Sequence, residues 1–147
     1  MKQRGTKNTL SKLSIFLVVT GLAIFSCAVA WGADWKLLGI SDTGKCFYEA
    51  EDVTHPSRNI VRVQRKIIYN GKGITEYVSE FGRAYENLDY SLTTIEIDCG
   101  NKTNRFLSLT FYSQDGKVID SSNSPSKEWD VIVPETSTES LYKKVCE

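Results

Sequence analysis

Glu96 and Asp98 stand two positions apart in the run Tyr90 to Cys99, where apolar and polar residues alternate. On a β-strand such a pair projects from one face about 7 Å apart, a separation that suits paired carboxylates in acid–base catalysis. The competing and preferred reading is a solvated sheet face whose carboxylates pair with Lys102 or Arg105 across a turn. His55, the single histidine, lies beside Pro56 in a turn-rich segment and has no second histidine to form a metal cluster or a relay with. The cysteines show no CxxC spacing, so neither a zinc site nor a redox pair is expected. The chain is read as non-enzymatic, with no catalytic residue, no metal and no cofactor.

A different kind of site is expected on the run Ile60 to Tyr69. Val61, Val63, Arg65, Ile67 and Tyr69 share one face of a strand there, and Arg62, Gln64 and Lys66 the other. Arg62, Gln64 and Lys66 form a short polar stripe suited to an acidic protein partner, although a wet sheet face is the ordinary reading of such a stripe.

The elements that position these residues follow from periodicity. Trp35–Ile40 and Cys46–Ala50 flank Ser41-Asp42-Thr43-Gly44 and read as a hairpin. Residues 52–59, with Pro56, read as a loop. Ile74, Tyr77, Val78, Phe81 and Tyr85 fall at helical spacing, predicting an amphipathic helix over 74–86 weakened by Gly82. Strands follow at 90–99, 105–112 and 117–120, the last two joined by a turn at Gln114-Asp115-Gly116. Residues 121–127 read as an exposed loop and 129–133 as a last short strand ended by Pro134. Thr136 and Glu139 have capping-box spacing before a C-terminal helix. The result is an α+β domain, an antiparallel sheet of about six strands with one internal and one C-terminal helix.

The N-terminus gives the compartment. Lys2, Arg4, Lys7 and Lys12 precede the apolar run Leu13–Phe25, which ends in small residues, the pattern of a cleaved secretory signal. Ala28-Val29-Ala30 places cleavage after Ala30, with Ala33 as the alternative. The chain then divides into a signal at 1–30 and one domain at 31–147, with no transmembrane helix in the mature form. A lipid anchor at Cys27 is disfavoured because Phe25 occupies a small-residue position of the lipobox. Loss of the leader shifts the balance from 18 basic and 18 acidic residues to 14 and 18, a formal charge of −4, which is no nucleic-acid footprint.

Export favours disulfides. Of Cys46, Cys99 and Cys146, one bridge and one remaining thiol is the simplest outcome. A bridge between Cys99, on the core face at a strand end, and Cys146, after the apolar face of the last helix, would pin that helix to the sheet. Cys46 reads as a buried thiol, with competition for either partner or a link to a second copy in a homodimer as the alternatives.

The order of landmarks, Trp35, Glu96-Ile97-Asp98-Cys99, Arg105, Gly116, Trp129, Pro134 and Val145-Cys146, resembles the bacterial surface-adhesin protein E-like domain from Asp34 to Cys146. That resemblance implies a curved antiparallel sheet with a helix against it and a Cys99–Cys146 disulfide. It further implies an envelope or surface location (periplasm, cell surface or extracellular) and attachment to extracellular-matrix proteins through a basic segment leading into Cys99. Here the corresponding stretch, Arg83 to Asp98, holds one arginine against Glu86, Asp89, Glu96 and Asp98, so it does not supply that basic segment. The expected function is therefore an adhesin-like protein-binding domain, with the stripe at Arg62, Gln64 and Lys66 and the segment Tyr85–Asp98 as candidate surfaces. The alternative is a periplasmic structural or accessory protein.

Overall fold

The computed structural model describes residues 32–147; the expected signal segment 1–30, including Cys27, lies outside the described residues. Eight strands form one antiparallel sheet: β1 (Trp35–Ile40), β2 (Gly44–Glu49), β3 (Thr54–Ser57), β4 (Ile60–Tyr69), β5 (Leu88–Asp98), β6 (Thr103–Ser113), β7 (Val118–Ser122) and β8 (Asp130–Val131). The main path runs β1-β2-β4-β5-β6-β7, while β3 pairs with β4 and β8 with β6. Each expected strand has a counterpart, six of them on that path and the last, at 129–133, in β8. The one addition is β3, a short edge piece within the expected loop at 52–59 that periodicity cannot register, and of the expected strand 129–133 only Asp130 and Val131 pair. All four residues of β3 are exposed, a setting in which Pro56 is tolerated because its missing N–H is not needed by a neighbouring strand.

Helix α1 (Gly71–Phe81) starts three residues before the expected 74. Asn70 explains the shift, because its Oδ1 accepts from the Gly73 N–H at 3.0 Å while its Nδ2 donates to the Asp42 carbonyl at 2.8 Å. The same cap thus fastens the helix to the β1–β2 turn. The helix ends at Phe81 because Gly82 adopts φ 97°, a left-handed backbone that L-residues resist, and Arg83–Tyr85 continues as a 3₁₀ turn. At the C-terminus, α2 (Ser137–Val145) is capped as expected by Thr136, whose Oγ1 accepts from the Glu139 N–H.

Both helices lie on the face of the sheet that carries the alternate residues Val61, Val63, Ile95 and Ile97, and they bury it in two separate clusters. Leu141 and Tyr142 of α2 pack on Val63, Ile95, Ile97 and Ile132. Around the turn after α1, Tyr85, Leu88 and Phe111 gather Tyr69, Ile74, Tyr77 and Val78. Cys99 and Cys146 are joined in a disulfide, with Cα atoms 5.6 Å apart, so the end of α2 is tied to the end of β5. Cys46 is a buried free thiol on β2.

Candidate protein-binding face

Strand register gathers the predicted stripe. Across β4, β5 and β6 the outward positions align as Arg62, Glu96 and Arg105, then Gln64, Thr94 and Ser108, then Lys66, Leu92 and Thr110, then Ile68, Tyr90 and Tyr112. Beyond β4, Phe47 lies opposite Lys66 and Leu37 opposite Phe47, extending the same face to the β1 edge. Both helices pack on the opposite side of the sheet.

The cations on this face are held rather than loose. Arg62 donates to Glu96 Oε1 from Nη2 at 2.6 Å and from Nε at 3.1 Å, and Arg105 donates to Oε2 from Nε at 2.8 Å. Arg105 in turn lies over the Trp129 ring at 4.6 Å. Lys66 Nζ sits 4.3 Å from the centre of the Tyr90 ring, which stacks on Tyr112 at 4.8 Å. Such cation–π contacts fix long side chains that would otherwise be disordered in water, which lowers the entropy a partner must remove on binding. Leu37 and Ile40 on β1 and Val118 on β7 remain exposed at 51%, 69% and 56%, so the charged strip is flanked by apolar edges on the same face.

Glu96 does not stand on a solvated face as expected; its side chain is 3% exposed, beneath the two guanidinium groups. Burial pushes its carboxyl up, and the hydrogen bonds and charges of Arg62 and Arg105 outweigh that and hold it below its ordinary value. The pairing with Arg105 was expected, whereas Lys102 instead lies over the Tyr142 ring. Asp98 is engaged differently, its Oδ1 accepting from the Gly100 and Asn101 N–H groups and its Oδ2 from Asn101 Nδ2. One carboxylate is thus clamped by two arginines and the other closes a turn. His55 sits in exposed β3.

The segment Tyr85–Asp98 falls mostly within β5, a central strand paired on both edges, and Tyr85, Leu88, Ser91, Thr93, Ile95, Glu96 and Ile97 are buried. Its outward residues Tyr90, Leu92, Thr94 and Glu96 join the face described above, the last beneath Arg62 and Arg105. The sequence pointed to Arg62, Gln64 and Lys66 by their alternation. It did not reveal that Tyr90, Tyr112 and Trp129 belong with them, because these are brought in by strand pairing.

The Glu96 clamp makes a pH prediction. A carboxyl whose folded value lies below its unfolded one contributes stability that is complete above about pH 4.5 and is lost as the pH falls through the folded value. Glu96→Gln therefore costs about 1–3 kcal/mol at pH 7, since it leaves two guanidinium groups without their shared anion. Urea unfolding at pH 7 and pH 3 checks this, the variant losing less stability between the two than the wild type.

Fold and face together define a small, disulfide-closed α+β domain that covers one side of its sheet with helices and presents the other bare, with fixed cations and aromatic rings. The sequence model of the family described as Surface-adhesin protein E matches residues 35–147, and the chain belongs to that family. No curated protein and no solved structure matches the chain. Membership makes this a surface-adhesin-like domain, and among the described residues no helix is long and apolar enough to cross a membrane.

Proposed function

We propose that this chain is a non-enzymatic, exported envelope protein that binds another protein through the bare sheet face around Arg62, Gln64 and Lys66. The observation that carries this reading is the preorganised strip on that face, Lys66 over Tyr90 and Arg105 over Trp129, bordered by exposed Leu37 and Ile40. Aromatic and arginine side chains fixed in advance are the groups that dominate protein–protein binding energy. Arg62, Lys66 and Arg105 outnumber Glu96 in the strip, which favours a partner patch with acidic character. Family membership favours an extracellular-matrix protein as that partner, after a leader at 1–30 is removed.

The test is a binding screen of the domain against immobilised matrix proteins, wild type beside Lys66→Glu. Charge reversal at Lys66 is expected to weaken any captured partner at least about tenfold; unchanged binding refutes the assignment to this face. Protease treatment of intact cells carrying a C-terminally tagged copy supplies the location. Digestion on intact cells agrees with adhesion, and protection until the envelope is permeabilised overturns it in favour of a periplasmic accessory role.

A further inference from the structure

The helix-covered side of the sheet holds a feature unrelated to the bare face. Between the cluster under α2 and the cluster around α1 lies an open cleft of about 310 Å³, floored by Arg65, Ile67 and Thr93 and walled by Tyr77, Phe106 and Leu109. Among the described residues Arg65 is the one charged side chain in its lining, and Arg65 itself is only 8% exposed. Its Nη1 donates to Thr138 Oγ1 of α2 at 3.2 Å, its guanidinium carbon lies 5.7 Å from the centre of the Phe106 ring, and its Nε is buried with no hydrogen-bond partner among the described residues. Among the described residues no carboxylate lies within ion-pair distance of it.

A guanidinium does not deprotonate, and a buried charge is ordinarily paired. The nearby titratable groups do not supply the missing anion. Burial pushes the Tyr69 phenol well above its usual value, and its hydroxyl is occupied with Ser91 at 3.0 Å and Tyr77 at 3.2 Å. Burial also pushes the Cys46 thiol up, against the opposing charge of Arg65. Both groups are neutral at physiological pH, so beside the cavity the positive charge meets the face of the Phe106 ring and no anion.

We propose that this cleft binds a small organic monocarboxylate, its carboxylate on the Arg65 guanidinium and its apolar body against Ile67, Phe106 and Leu109. One cation matches one negative charge; a phosphate dianion or a diphosphate would leave charge unneutralised in a lining that offers hydroxyls but no second cation. The volume lies at the small end of the range for ligand pockets, about 300–1,000 Å³, which limits the body to a single ring or a short alkyl chain. The Thr93 hydroxyl, beside Arg65 in the cleft floor, supplies a second donor.

The test uses the intact domain and benzoate, phenylacetate and hexanoate, each beside its amide, followed by amide chemical shifts and calorimetry. At least one acid is expected to bind with shifts centred on Arg65, Ile67 and Leu109, and its amide to bind roughly ten- to hundredfold more weakly. In Arg65→Met the acid loses that advantage over its amide, while thermal stability is retained or raised because an unpaired buried charge has been removed. A purely structural Arg65, serving to hold Thr138, gives the opposite pattern: Arg65→Met melts earlier and no acid in the panel moves the wild-type spectrum. Either the silent panel or equal affinity for acid and amide overturns the proposal.

Discussion

Cys146→Ala lowers the unfolding free energy by about 4 kcal/mol, on the order of 15 °C in melting temperature for a domain of this size. The bridge closes a separation of 47 residues that includes β6, β7 and β8, so in the unfolded chain it removes a large number of conformations. In the folded chain it joins the last residues of two elements already in contact through Leu141, Tyr142 and Ile97, and its loss leaves those contacts available. The variant is therefore expected to fold at 25 °C but with a lower urea midpoint, and hydrogen exchange should accelerate first over residues 137–145. Cys46→Ala, at the buried free thiol, serves as the control and costs much less, because it removes a small side chain and no cross-link. Equal losses for the two variants would show that the bridge does not form in the protein.

Leu141→Ala is expected to cost about 2–5 kcal/mol. Leu141 has no exposed surface and packs with Val63, Ile95 and Ile97, the residues by which β4 and β5 meet α2. The helix is nine residues long, too short to persist without its apolar contacts, so truncating the central side chain loosens the whole element rather than leaving a cavity alone. The effect is measured by urea unfolding with the disulfide intact. Combined with Cys146→Ala, the double variant should lose less than the two single losses added together, since both act on the docking of one helix. Full additivity would mean that the bridge stabilises the domain independently of α2.

The two variants also separate the faces of the sheet. Leu141 and Cys146 act on the covered side, whereas Lys66 and its aromatic neighbours lie on the bare one. Matrix binding by either stability variant at a temperature where it remains folded should therefore equal that of the wild type.

Local chemistry made much of this fold legible in the sequence. Alternation placed Ile60–Tyr69 as a strand with Val61 and Val63 inward, and the spacing of Thr136 and Glu139 marked the start of the last helix, because both signals depend on neighbours only a few residues apart. Cys99 and Cys146 could be proposed as partners from their positions at the ends of apolar faces. Arg65 was equally visible as a charge on an inward face, but alternation alone does not say whether an inward arginine meets a carboxylate, an aromatic ring or open space. Tertiary structure decided that, by setting Arg65 over the Phe106 ring and beside a gap between the clusters under α1 and α2. It decided the fate of Glu96 as well, since the register of β4, β5 and β6 set Arg62 and Arg105 on either side of a carboxylate that sequence distance kept 34 and 9 residues away from them. The same pairing stacked Tyr90 on Tyr112 and set Lys66 above the pair. Periodicity reports which way a side chain faces, whereas what it faces depends on which strand is its neighbour, a long-range choice made by the packing of the whole sheet.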